Sequence, residues 1–267
     1  MHIYLSFMAI QSLNEIDEIF DSVYPNQINL KSFDKKKTLC PRIWQHGDLK
    51  RVIRKHLEVI AKNFIKDLEM EDIEIYDIVL VGSIAGYNWS KYSDIDLHII
   101  IDFSSLSNHG DKETLKKFFD LKKNDWNQKH NILIYGYPVE IYIQDTDEVN
   151  ESNGIYSVKY AKWVKIPTSD GGEIDKELIK RQASQYINII DKIEELSNLN
   201  LNKRQCSILK NEIKKIHDEI VNGRRQTLPK EGEFGSANIV FKVLRRSGHL
   251  QKMKEIKTKL FDKINSL

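Results

Sequence analysis

The run Ile75–Val81 is β-branched and aliphatic and stops at Gly82, which predicts a buried strand ending in a tight turn. Further along, Ile95, Leu97, Ile99 and Ile101 alternate with Asp94, Asp96, His98 and Ile100, the period of two of a strand with one buried face. A third alternating stretch holds Glu140 between Val139 and Ile141. Ile132 to Tyr135 precedes it across Gly136, Tyr137 and Pro138, predicting a tight hairpin. Leu49, Val52, Ile53, Leu57, Ile60, Phe64 and Leu68 recur at helical spacing, so a helix capped by Asp48 is expected to pack on the sheet. Ser107 to Gly110 reads as a loop, after which Asp111 opens a helix with Leu115, Phe118, Phe119 and Leu121 on its apolar side. Gly154 to Val158 and Trp163–Val164 form a further short strand or turn. Residues 1–45, with Pro25, a lysine-rich run around Lys35 and Pro41, read as a short helix followed by irregular chain.

Pro167 to Gly172 has the composition of a linker, and helical spacing dominates after it. Helices are expected over Glu173 to about Leu199 and Lys203 to about Val221, the latter through Ile208, Ile213, Ile216 and Ile220 and ended by Gly223. Arg224 to Gly235, with Pro229, Gly232 and Gly235, reads as a charged loop placed to lie over a cleft. Ser236 caps a helix bearing Ile239, Val240, Val243 and Leu244, and Gly248 separates it from a last helix, Leu250 to Ile264. The fold class is therefore α/β (α+β): a mixed sheet with flanking helices over 1–166 and an α-helical domain over 173–267.

Composition changes this picture little. With 40% hydrophobic and 30% charged residues in 267, the chain reads as globular and not disordered. Cys40 and Cys206 have no metal-type spacing and read as free thiols, which favours a reducing, cytoplasmic setting. The N-terminus lacks a basic region and makes a poor signal peptide, and no apolar run approaches membrane-spanning length. The net charge is only +2, yet Leu201 to Leu267 holds sixteen Lys or Arg against seven Asp or Glu, a local +9. That excess raises a polyanionic partner, with solvated lysine faces as the plainer account.

The candidate chemistry gathers between the first two strands. Asp94 and Asp96 share a strand face with roots about 7 Å apart, close enough to bind one cation and to repel without it. Hard oxygen ligands suit magnesium. Gly82 permits close backbone approach and Ser83 offers a hydroxyl and an amide to a phosphate. Tyr156 is a candidate to stack on a base and Ser157 to bind phosphate, against ordinary packing. His98 shares the face of the aspartates and is placed to touch substrate, against the commoner hydrogen-bonded sheet histidine.

Gly82-Ser83 followed by Asp94-Ile95-Asp96 resembles the motif of the DNA polymerase β nucleotidyltransferase superfamily. That resemblance implies a third carboxylate on a later strand. Glu140 is the best match, although many members carry aspartate there, and Asp145 is its competitor. It also implies Mg2+ (or Mn2+) as cofactor, a nucleoside triphosphate such as ATP as substrate, and a helical second lobe in which Lys242, Arg245 and Arg246 are candidates to meet the triphosphate or an RNA backbone. The activity so implied is transfer of NMP to an acceptor hydroxyl with release of pyrophosphate, Glu140 serving as metal ligand or as general base. An RNA or oligonucleotide acceptor is favoured by the basic C-terminal half. A second-messenger synthase, a protein or small-molecule adenylyltransferase, and a catalytically silent nucleotide-binding protein are the alternatives.

Overall fold

The structure, a computed structural model, describes residues 28–70, 73–169 and 174–266. The chain divides into two compact units, one within Lys31–Asp170 and the other within Met1–Leu30 and Gly171–Leu267. The helix expected near the N-terminus lies largely outside the described residues. The fold is mixed α+β, with all the described strands in the first unit.

A six-stranded mixed sheet forms the centre of that unit. Its strands are β3 (Ile75–Val81), β4 (Ile95–Ile101), β5 (Leu133–Ile134), β6 (Tyr137–Asp145), β7 (Ile155–Ser157) and β8 (Lys162–Lys165), in the order β5-β6-β4-β3-β7-β8. A separate hairpin pairs β1 (Trp44–Gln45) with β2 (Asp48–Leu49). Among the described strands only β4 and β6 run parallel, with Asp96 opposite Glu140 and His98 opposite Tyr142. Alternation along β4 is complete: Ile95, Leu97, Ile99 and Ile101 are fully buried, and the residues between them are half-buried. The buried face packs with α1 (Arg51–Asp67) and α2 (Lys112–Lys129), whose Leu57, Phe64, Leu115 and Phe119 join one apolar core.

Several local expectations yield to turn chemistry. Asp48 does not cap α1. It pairs with Gln45 in the small hairpin, whose turn residues His46 and Gly47 have φ of 52° and 87°, as a two-residue type I′ turn requires. Lys50 stands at the head of α1 instead, its Nζ donating to the carbonyls of Pro41 (2.6 Å) and Arg42 (2.9 Å). Val52, counted on the apolar stripe, is 49% exposed. Residues 107–109 belong to a 3-10 segment, Phe103–His109, opened by Asp102, which accepts from the Ser104 amide at 2.8 Å. Asp111 caps α2 as expected, accepting from the Thr114 amide at 2.8 Å, but Leu121 faces outward at 70% exposure. The β5–β6 turn is Tyr135–Gly136 alone (φ 50° and 86°), so Tyr137 and Pro138 already lie in the strand.

Beyond β5, Asn127 completes the edge of β6. Its Oδ1 accepts from the Ile141 amide at 3.1 Å and its Nδ2 donates to the Ile141 carbonyl at 3.2 Å. Both backbone groups that a further strand would have used are thereby satisfied.

The second unit contains α3 (Lys176–Ser197), α4 (Lys203–Glu231), α5 (Ser236–Arg246) and α6 (His249–Asn265). Asp175 caps α3, and Asn202 with Gln205 forms a reciprocal capping box on α4. Gly223 does not end α4. The helix runs on through Arg224, whose Nε donates to Asn238 at 3.0 Å and whose guanidinium lies 4.4 Å from the centre of the Phe241 ring. The charged loop expected over Arg224 to Gly235 is therefore mostly helix, ended by Gly232 at φ 67°, a positive φ that glycine adopts most cheaply. Gly235, not Ser236, occupies the position before α5.

Candidate cation and phosphate site

Strand β3 ends at Val81, opposite Asp96 of β4. The chain then turns at Gly82, with φ 73° and ψ −162°, into a 3-10 turn over Ser83–Ala85. Two constraints fix glycine here. The φ is one that residues with a Cβ rarely adopt, and a Cβ would stand 1.9 Å from Asp96 Oδ2. The carboxylate thus rests directly against the bare backbone of the turn. Gly154 supports the turn from below in the same manner, since a Cβ there would lie 1.9 Å from the Ala85 carbonyl oxygen. The Trp44 indole N–H donates to the Ile84 carbonyl at 2.8 Å.

Ser83 is held by its neighbours in the loop that leads to β4. Its Oγ lies 2.8 Å from Ser93 Oγ, which also accepts from the Ser90 amide at 2.9 Å. Ser90 and Ser93 are buried. Trp89 anchors the same loop by donating its indole N–H to the Thr38 carbonyl at 2.8 Å.

Parallel pairing brings Glu140 beside the aspartates. One carboxylate oxygen from each of Asp94, Asp96 and Glu140 lies within 4.8 Å of the others, and all three residues are half-buried. At an effective dielectric of about 20, two like charges at that separation repel by about 3 kcal/mol. Three oxygen donors at this spacing suit a hard divalent cation, which would remove the repulsion. The donor set therefore fits Mg2+ or Mn2+.

Asp145, the other candidate for the third position, serves elsewhere. It pairs with Ile101 at the far end of β4, about 17 Å along the strand from Glu140. There it accepts from the Phe103 amide (3.0 Å) and the Lys112 ammonium (2.7 Å). Burial works against its charge, but these donors outweigh burial and hold its carboxyl below the usual carboxylate range.

A second row of polar side chains lies behind the carboxylates. The Tyr142 hydroxyl donates to Glu140 Oε2 at 2.9 Å, and its ring meets the His98 ring at 4.9 Å. Burial, with the negative charge of Glu140, Asp96 and Asp94, raises the phenol far above its ordinary value, so the hydroxyl keeps its proton. His98 Nδ1 lies 2.7 Å from Gln144 Oε1, and Gln144 Nε2 donates to the Glu148 carbonyl at 2.8 Å. With that amide orientation the imidazole carries its proton on Nδ1. Desolvation lowers the His98 pKa despite the Gln144 bond. The sequence reading passed over Tyr142. The available signal was its place two residues after Glu140, on the same strand face.

Tyr156 and Ser157 do not face the site. Tyr156 is 1% exposed, with its ring edge-on to Trp44 and Trp163 at 5.2 and 5.1 Å, and so cannot receive a base. Ser157 is fully buried. Its Oγ donates to Asp77 at 2.7 Å and accepts from the Tyr160 amide at 3.0 Å, so the hydroxyl joins strands and is closed to phosphate. Lys242 and Arg245 lie on α5 in the helical unit. Lys242 is committed to Glu233, a half-buried acid whose desolvation is outweighed by that ammonium, leaving its carboxyl below the ordinary range. Arg245 is exposed.

Together, the fold and the cluster define an α+β protein with a three-carboxylate oxygen site beside a glycine-serine turn. No family model and no curated protein matches the chain. A solved structure described as a STING-associated CdnE c-di-GMP synthase from Capnocytophaga granulosa is similar at 14% identity. The match covers 80% of this chain and 84% of that one, with a TM-score of 0.22.

Proposed function

We propose that the chain is a metal-dependent nucleotidyltransferase that moves NMP from a nucleoside triphosphate to an acceptor hydroxyl and releases pyrophosphate. The observation that carries this reading is the convergence of Asp94, Asp96 and Glu140 within 4.8 Å, with Asp96 seated against Gly82. Sheet stability gives no reason to gather three acids on one face.

Asp94, Asp96 and Glu140 would hold Mg2+ or Mn2+, which when bound supplies charge neutralisation at the triphosphate and lowers the pKa of the acceptor hydroxyl. Gly82 lets the triphosphate approach the backbone closely. Ser83 meets a β or γ phosphate oxygen: if Ser93 donates its proton to Ser83, the Ser83 proton is left for the phosphate. Glu140, nearest the second polar row, stands where an acceptor hydroxyl is oriented before attack on the α-phosphorus.

For the acceptor we propose a nucleotide hydroxyl, on an oligonucleotide end or on a second nucleoside triphosphate. At least three of the sixteen cations in the basic C-terminal half are engaged inside its own unit. Lys242 is engaged by Glu233, Lys252 by Asp191 and Glu194, and Lys263 by the carbonyls of Ser197 and Leu199. Incubation with each labelled ribonucleoside triphosphate, with and without RNA, followed by chromatography, tests the reading. Pyrophosphate release that disappears in Asp94→Ala and Asp96→Ala is expected. Full release in both variants would refute it, and a short cyclic or linear product without added RNA would assign the acceptor as a second nucleotide.

A further inference from the structure

We infer that Tyr142 is a positioning residue for the cation site, holding Glu140 in its ligating orientation. The inference rests on the cation site proposed above. Glutamate has one more rotatable bond than aspartate, and repulsion from Asp94 and Asp96 favours rotamers that swing it away. The β6 pleat places Tyr142 on the same face two residues on, where its hydroxyl donates to Glu140 Oε2 at 2.9 Å. That bond fixes the plane of the carboxylate and occupies one lone pair of Oε2, which leaves Glu140 to offer essentially one oxygen to the cation.

The phenol is itself restrained. Its ring meets His98 at 4.9 Å and lies 4.5 Å from the Lys123 ammonium. His98 is tied to Gln144, which is fixed by Glu148 and by Asn150, whose Nδ2 donates to Gln144 Oε1 at 3.3 Å. Lys123 is in turn paired with Asp120 at 2.8 Å. A chain of contacts thus runs from the 148–150 segment and from α2 to the hydroxyl that donates to Glu140. A glutamate braced in this way can serve where a shorter aspartate would need no brace.

Tyr142→Phe removes the hydroxyl and keeps the ring. Mn2+ binding, measured by electron paramagnetic resonance on the full chain without nucleotide, should weaken roughly 10–100-fold, the cost seen when an outer hydrogen bond to a metal ligand is removed, with an unchanged melting temperature. In a Glu140→Ala background the same substitution should produce no further loss, because the acceptor of its hydrogen bond is already gone. Mn2+ affinity within twofold of wild type in Tyr142→Phe overturns the inference, as does an equal loss in both backgrounds. Absent Mn2+ binding in the wild type, or wild-type affinity in Asp96→Asn, overturns the cation site as well, and so separates the two failures.

Discussion

Gly82 and Asp96 illustrate how much chemistry one missing methyl can permit. In Gly82→Ala, the added carbon must adopt φ 73° and displace an oxygen 1.9 Å away. The backbone strain costs about 1–2 kcal/mol. Displacement of the carboxylate by even about 1 Å is expected to lower turnover by about 10²-fold. Measuring kcat alongside the melting temperature separates the two effects, and an active Gly82→Ala would show that the turn is not part of the site. Asp145 behaves in the opposite manner. Its carboxyl sits below the usual range, held by Lys112 and the Phe103 amide. A depressed carboxylate contributes stability that is complete above its unfolded pKa and is lost as pH falls through the folded value. The wild type should therefore lose stability on acidification below about pH 4, and Asp145→Asn should flatten that part of the profile. At pH 7 the variant should be less stable by about 1–3 kcal/mol and should retain Mn2+ binding. Equal pH profiles for variant and wild type would contradict this.

Among the elements, β3, β4 and β6 were legible because each carries a run whose alternation or apolarity leaves few choices. The candidate residues on them, Gly82, Ser83, Asp94 and Asp96, were singled out from their place at strand ends. What the sequence left open was strand order. Choosing Glu140 over Asp145 requires knowing that β6 lies beside β4, parallel and in a particular register, and no local signal carries that. Tyr156 and Ser157 were misread for a related reason: residues next to a cleft in sequence can face the core, and these pack on Trp44 and Asp77 from other segments. Gly223 was misread because a glycine in a polar stretch looks like a terminator, whereas tertiary contacts of Arg224 carry the helix past it. A Cβ at Gly223 would meet nothing within 4 Å. Gly223→Ala should then stabilise the protein by about 0.5–1 kcal/mol, measured by urea unfolding. A destabilised variant would argue against a helix there.

For the whole molecule, among the described residues no helix is long and apolar enough to cross a membrane, and both cysteines are free and buried. The two compact units divide the chain near the stretch whose composition reads as a linker. Since the three acids all belong to the first unit, cation binding should stabilise that unit against unfolding. At a concentration about 100 times the dissociation constant, Mn2+ is expected to add about 2.7 kcal/mol. Calorimetry with Mn2+ and then with excess chelator measures this, and no shift would count against a preformed site. Asp94→Asn with Asp96→Asn should relieve mutual repulsion, so the metal-free double variant is expected to melt no lower than the metal-free wild type.

Among the described strands the parallel pair, β4 and β6, is not joined by a turn; a 3-10 segment, a helix and the short strand β5 separate its members. Nothing near the acids therefore dictates which residue of β6 stands across from Asp96. That alignment comes from the opposite side, where Val139 and Ile141 of β6 lie buried beside Ile95 and Leu97 of β4 and a slip of β6 by one position would turn them out of the core. A methyl lost or gained in that greasy layer is thus expected to shift the three acids relative to one another.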